Sequence, residues 1–443
     1  ISMPSPDVLL GDSFNFNIDL RNSSSQVGFA PYIDLFLPAT GKDGDDGIRF
    51  VSASYLGQAV KSYVVTFDAS GNATHPLAKD ASGKALVISA ASVGMKPGDQ
   101  FVVLQVPYAS VSQDQPTISL QVTATLSNLA DTSLTTGSPD LTIQARGGFE
   151  YGNDSLNNPT VDPSLVEATL HALAIHPTLL DITQSLNMTE GETATGPNFV
   201  HTQTVTVTPA DGQTLHNVVI TQSVPEDVRV TAITPGAGGT LTSVTLRNGT
   251  VLTNPALIAA AIADPNVFVV AYTIDYATLS GPTSSTVDFY VPEVGADGAP
   301  VIDPDTGDPV TISFGPPSAT GQWTPLDPRD LTPPATDVDF SATGDGTGAQ
   351  FVAKSITLQK QALLQNDTCS TGLSPGDTLR YVLNVALSDY FAFGENILRE
   401  GQFTVTDTLA DGQSIVGAPT MTISQNGVTR TIALVYTATA NAD

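Results

Sequence analysis

The sequence predicts an all-β chain of tandem domains, with one short helix in the second. Three observations predict it. Apolar residues recur at period two through stretches such as "LQVTATLSN" (120–128) and "TQTVTVTPADGQTLHNVVITQSV" (202–224), a spacing that turns one face of a strand toward a core. Gly, Asp and Asn cluster between these stretches, where turns need residues that tolerate positive φ or cap their own backbone. Helical periodicity is nearly absent. Only "NPALIAAAIAD" (254–264) carries it, with Asn254 placed as a cap and Pro255 at the first helical position.

The other elements follow in order. Twin Asp-Ala-Ser-Gly segments at 68–71 and 80–83 mark turns at hairpin ends. Asn426-Gly427, between the alternating segments of "TMTISQNGVTRTIALVY", is the strongest short hairpin signal in the chain. Two breaks interrupt the pattern. Residues 147–163 are turn-rich and poorly periodic, and 314–337 carry Pro316, Pro317, Pro325, Pro328, Pro333 and Pro334, a density expected of a stiff extended spacer. The expected organisation is a β-domain over 1–147 and an acidic, Asn-rich linker over 148–163. A second domain with insertions spans 164–315, a proline-rich linker spans 316–344, and a third domain spans 345–443.

Composition narrows the function classes. The 443 residues are 41% apolar, enough to bury cores. Acids outnumber bases by 44 to 16, for a net charge of −28, which disfavours nucleic acid and anionic lipid and suits divalent cations. Cys369 is the only cysteine, so no intrachain disulfide forms. No apolar run approaches the ~18 residues of a membrane span.

Gly-Asp-Ser at 11–13 has the letters of the nucleophile block of GDS-type lipases. The same Gly-Asp opens "GDQFVVLQV" at Gly98 and "SPGDTLRYVLNV" at Ser374, each time before an alternating apolar strand and twice without a serine. That chemistry needs a histidine held by an acid, usually as Asp-x-x-His, and none of His75, His171, His176, His201 and His216 has Asp three residues before it. Ser13 therefore reads as part of a turn and strand, and no catalytic residue is assigned.

A second segment also repeats. "APYIDLFLPATG", "HNVVITQSVPED" and "GQFTVTDTLADG" each give a strand and then a turn, followed by "RFVSAS", "VRVTAI" and "QSIVGA". Together, "SPGDTLRYVLNV…FTVTDTLADGQSIVGA" resembles the conserved Ig-like repeat of large bacterial surface and secreted exoproteins, which is related to isopeptide-type fimbrial repeats. The resemblance is good over 356–424, fair over 202–233 and loose over 9–54; Ala410 and Gln222 depart from its pattern. It implies tandem Ig-like β-sandwich domains at the cell surface or outside the cell, without catalytic residues. Some related fimbrial repeats form Lys–Asn isopeptide bonds, which would place such a lysine at Lys354 or Lys360. Only five strand segments are legible past Phe351, against about seven in an Ig-like sandwich, so the third domain is expected to be incomplete at its C-terminus. A further strand would come from additional chain or from another copy, with residues 1–10 as the natural donor.

The chemical candidates are acidic loops. "KDGDDG" holds Asp43, Asp45 and Asp46, and "IDPDTGDPV" holds Asp303, Asp305 and Asp308. Clustered carboxylates repel unless a cation offsets them, and Ca²⁺ takes six to eight oxygens from such turns, although neither loop has the EF-hand spacing. Glu150, Asn153, Asp154 and Asp162 form a third acidic, amide-rich stretch. Tyr390, Phe391 and Phe393 in "DYFAFGEN" are a candidate contact patch. The expected function is a structural segment of a bacterial cell-surface or extracellular fibre or matrix protein, whose partners are copies of itself or other surface proteins. The alternatives are a calcium-dependent adhesin for glycan or protein, and a non-catalytic part of a secreted polysaccharide-degrading enzyme.

Overall fold

Strand Ser13–Leu20 shows the alternation in use: Phe14, Phe16, Ile18 and Leu20 are buried, and the residues between them are exposed. The computed structural model describes every residue except 26, 81, 152–164, 198, 304–307, 332–335, 347, 355, 367–372, 388–404, 406, 410–412, 426–427 and 436–443. The chain divides into two units, Ile1–Phe391 and Ala392–Asp443. The fold is all-β with one α-helix among the described residues, Pro255–Ala263, and Asn254 caps it by accepting from the amides of Ala256 and Leu257.

In the first sandwich one sheet runs Ser13–Leu20, Ile118–Leu126, Ile48–Tyr55, Gln58–Ala59. The other runs Asp7–Leu9, His171–Thr178, Leu141–Tyr151, Gly28–Leu37, Gln100–Gln105, Lys61–Thr66. Phe16, Leu120 and Val122 of the first share an apolar core with Ile33, Leu35, Val102 and Leu104 of the second. Strand Gly28–Leu37 is buried on both faces, because Tyr32 and Phe36 point the other way and pack with Phe67, Ala73, Ile88 and Phe101 beneath the hairpin of Asn72–Lys79 and Ala85–Ser89. That double burial explains its unbroken apolar run.

The repeated Gly-Asp segments are turns. Gly11, Gly98 and Gly376 have φ of 83°, 94° and 99°, a region that side-chain-bearing residues rarely adopt. In two of the three turns the aspartate closes the loop on itself: Asp99 Oδ2 accepts from the Lys96 amide and Asp377 Oδ2 from the Ser374 amide, each at 2.7 Å. Ser13 lies on the exposed strand face, its hydroxyl 2.9 Å from that of Thr125.

The second sandwich pairs a sheet in the order Leu180–Leu186, His201–Pro209, Thr283–Pro292, Glu190–Ala194, Gln350–Lys354, Val310–Ser313 with one in the order Val251–Leu252, Gly239–Leu246, Val269–Leu279, Leu215–Ser223, Ser318–Trp323, Val338–Thr343. Two stretches with linker composition contribute strands. In the proline-rich segment, Ser318–Trp323 pairs with both Leu215–Ser223 and Val338–Thr343. Pro316, Pro317, Pro325 and Pro328 lie outside those paired segments, so no ladder N–H is lost. The turn-like "GG" at 147–148 lies inside Leu141–Tyr151, where Gly148 sits opposite Tyr32 and a Cβ would come within 2.4 Å of the tyrosine ring.

The chain passes between sandwiches without a spacer. His171–Thr178 closes the first, the buried Leu179 follows, and Leu180–Leu186 opens the second. The Leu179 carbonyl accepts from the Ala210 amide at 2.8 Å. Likewise Gln350–Lys354 of the second sandwich precedes Ile356–Asn366, which pairs with Thr378–Leu387, with only position 355 between. In the unit Ala392–Asp443, Thr420–Gln425 pairs with Val428–Ala433 on either side of the expected Asn-Gly turn, which itself lies outside the described residues. Residues 1–10, the expected strand donor, pair within their own chain: Ser2 bridges Asn17 and Asp7–Leu9 runs parallel to His171–Thr178.

Candidate functional site

The loop that carries "KDGDDG" joins Gly28–Leu37 to Ile48–Tyr55 and is folded tightly on itself. The Gly41 amide donates to Pro38 O at 3.1 Å, the Gly47 amide to Ala39 O at 3.2 Å and the Ile48 amide to Pro38 O at 3.1 Å. Two glycines make the fold possible. A Cβ on Gly47 would lie 1.7 Å from Pro38 O, and one on Gly41 would lie 1.8 Å from Asp46 Oδ1. Asp99 braces the loop by accepting from Thr40 N and Thr40 Oγ1, and the Lys96 ammonium donates to Gly41 O at 3.0 Å.

This packing turns the three loop aspartates to different ends. Asp45 points to solvent, 86% exposed, and pairs with Arg49. Asp43 is partly exposed and faces Arg329 of the second sandwich, Oδ1 to Nη1 at 3.2 Å. Asp46 is 1% exposed, and neither of its carboxylate oxygens has a hydrogen-bond partner. The sequence leads to Asp43 and Asp46 as neighbours, and the structure brings both together with three aspartates from elsewhere.

Asp327 caps the short 3₁₀ turn Pro328–Asp330, accepting from the Arg329 amide at 2.8 Å and gripping the Arg329 guanidinium, Nε to Oδ1 and Oδ2 at 2.9 Å each. Arg329 then reaches the first sandwich, donating to the carbonyls of Asp43 and Gly44 at 3.1 and 2.6 Å. Asp131, 8% exposed, follows strand Ile118–Leu126 and accepts from Thr135 Oγ1. Asp330 approaches Asp131 from the second sandwich. Carboxylate oxygens of Asp43, Asp46 and Asp327 lie within 4.8 Å of one another, as do those of Asp43, Asp131 and Asp330.

Five carboxylates thus gather in two groups that share Asp43 where the sandwiches join, and the electrostatics register it. Burial, then the Asp43 carboxyl, pushes Asp46 up to about 6. Burial, then the Asp131 carboxyl, pushes Asp330 up to about 8. The Asp327 carboxyl is held below its usual range by Arg329. Such a set of hard oxygen donors suits Ca²⁺ rather than a thiophilic metal. Sequence reasoning missed Asp131, Asp327 and Asp330, which occur singly or inside a proline-rich stretch. The one local signal was the charged "DPRD" at 327–330 among prolines.

The other expected sites stand apart. Asp303 and Asp308 are exposed, and among the described residues neither joins a group of three metal-ligating side chains; Asp305 lies outside the described residues. Tyr390, Phe391 and Phe393 also lie outside them, as do Asn153, Asp154 and Asp162. Lys354 pairs with Glu190, and the Lys360 ammonium sits 4.5 Å above the Tyr381 ring.

A buried histidine–aspartate pair lies in the first sandwich, and its geometry is structural. His75 Nδ1 accepts from the amides of Leu77 and Ala78 at 3.0 and 2.8 Å, which places the ring proton on Nε2, donated to Asp34 Oδ1 at 2.8 Å. The Arg146 Nε donates to Asp34 Oδ2 at 3.0 Å. Both ring nitrogens are committed, which leaves neither to take a proton from a nucleophile.

No family model matches the chain, and no curated protein matches it. Among solved structures it is similar to BcpA, the major pilin subunit of Bacillus cereus, at 7% identity and a TM-score of 0.22, over 85% of this chain and 85% of that one. It is also similar to the full-length major pilin SpaD of Corynebacterium diphtheriae, at 8% identity and a TM-score of 0.20, over 78% of this chain and 63% of SpaD. Scores this low carry no function from one chain to the other.

Proposed function

We propose that this chain is a non-catalytic structural segment of a cell-surface or extracellular fibre or matrix protein, whose β-sandwiches hold a fixed orientation and assemble with copies of the chain or with other surface proteins. The observation that carries this reading is the passage from His171–Thr178 to Leu180–Leu186 through the single buried residue Leu179. Tandem domains that act independently are joined by exposed, flexible linkers with few contacts across them. Here the core is continuous across the join. Leu179, Ala130, Ala210 and Leu215 belong to one apolar cluster with residues of both sandwiches. Fixing the orientation has no bearing on chemistry within one sandwich, but it decides whether a row of sandwiches keeps its direction. A net charge of −28 keeps such segments soluble and apart until specific contacts form.

Immunogold electron microscopy of the source cells, with antibodies raised against the purified chain, tests the reading. Label along surface filaments, a lattice or extracellular matrix is the expected result. Label confined to the cell interior overturns it.

A further inference from the structure

The carboxylate cluster at the junction contains more negative charge than its protein partners offset. Asp46 sits on the first sandwich with both oxygens unpartnered and 1% exposure, and it faces Asp43 and Asp327 at coordination range. Leaving a carboxylate buried without donors is costly, and natural proteins avoid it unless a proton or cation completes the site. Among the described residues Arg329 is the one basic side chain paired with the cluster's carboxylates, and its guanidinium is engaged by Asp327, Asp43 and two carbonyls, with no hydrogen bond to the Asp46 oxygens. The ligands come from both sides of the join: Asp43, Asp46 and Asp131 from the first sandwich, Asp327 and Asp330 from the 3₁₀ turn between strands of the second.

We propose that Asp43, Asp46 and Asp327 bind a divalent cation of the calcium class between the two sandwiches, with Asp131 and Asp330 flanking it beyond Asp43. The cation bridges the sandwiches as Arg329 does, and it does so from the buried side of the loop. Asp45 takes no part, since it faces solvent and pairs with Arg49. The site is therefore a property of the junction, and neither sandwich builds it alone. The inference is independent of the fibre reading, since a cation-braced junction would serve any arrangement of fixed sandwiches.

Calcium titrated by calorimetry into the full chain, stripped with EDTA and exchanged into metal-free buffer at fixed ionic strength, tests the proposal. The wild type binds calcium. Asp46→Asn and Asp327→Asn each weaken binding by about tenfold or more, at least the loss seen when even an outer partner of a bound metal is removed. Asp45→Asn leaves it unchanged. Thermal melting of the same proteins gives a second readout. Calcium raises the midpoint of the wild type and not that of Asp46→Asn, which folds without a buried charge to satisfy. No calcium binding by the wild type would overturn the proposal. So would equal binding in Asp46→Asn, or a rise of equal size with magnesium in wild type and variant, which marks general charge relief.

Discussion

His201 gives the second sandwich a defined sensitivity to acid. Its ring is 4% exposed, lies against Phe351 and Phe289 with centroids 4.5 and 5.8 Å away, and has no hydrogen-bond partner on either nitrogen. Burial lowers its pKa from 6.5 to about 4. The folded state therefore keeps the ring neutral over a range in which the unfolded chain takes up a proton. Stability is unaffected above pH 6.5, falls as the pH drops through the window from 6.5 to 4, and levels off once the folded ring protonates too. The loss is about 2 kcal/mol between pH 7 and pH 5 and about 3 kcal/mol by pH 4, from 1.36 kcal/mol per pKa unit. Urea denaturation followed by fluorescence of Trp323, the only tryptophan and a residue of the same sandwich, measures it. Other titrating groups cancel when wild type and His201→Leu are compared at each pH. The wild type should lose about 2 kcal/mol more than the variant between pH 7 and pH 5. Parallel curves for the two proteins would refute the reasoning.

Three further outcomes follow from the packing. Gly191→Ala places a Cβ 2.4 Å from His201 Cε1 and 2.6 Å from Phe351 Cζ, so the Trp323-monitored transition should lose about 1–3 kcal/mol. Gln213 accepts from Trp323 Nε1 at 2.9 Å and donates to Asn128 O at 2.8 Å, linking the sandwiches; Gln213→Leu leaves both partners unpaired, at about 1–3 kcal/mol each by the same assay. Ser13→Ala should change stability by less than about 0.5 kcal/mol and leave any hydrolysis of a generic ester unaltered; loss of such activity in this variant would restore the hydrolase reading.

Local chemistry was legible in the sequence, and contacts between distant segments were not. The Asn254 cap, the Asp-Ala-Ser-Gly turns and the Gly-Asp openers depend on residues two to four positions apart. Asp68 and Asp80 indeed accept from amides two and four residues on. Gly147 and Gly148 resemble a linker in sequence because glycine serves turns, yet here Gly148 makes room for the ring of Tyr32 in a neighbouring strand and Gly147 lies against Leu20. The prolines of 316–328 suggest a spacer because composition does not reveal that they bracket a paired strand. Asp43 and Asp46 stood out as a run of acids. Asp131, Asp327 and Asp330 acquire their meaning from the junction alone, where burial and mutual repulsion raise two of the five carboxyls. The repulsion between Asp43 and Asp46 arises within one loop, whereas that between Asp131 and Asp330 exists only once the sandwiches meet.

The fixed orientation of the first two sandwiches is tested most directly by a distance across their join. Spin labels at Val51→Cys in the first and Val251→Cys in the second occupy exposed strand positions, with Cys369→Ser removing the native thiol. Double electron–electron resonance on this doubly labelled full chain, in calcium, should give one narrow distance distribution. A broad or multimodal distribution would mean that the sandwiches turn independently about Leu179, and would contradict the account.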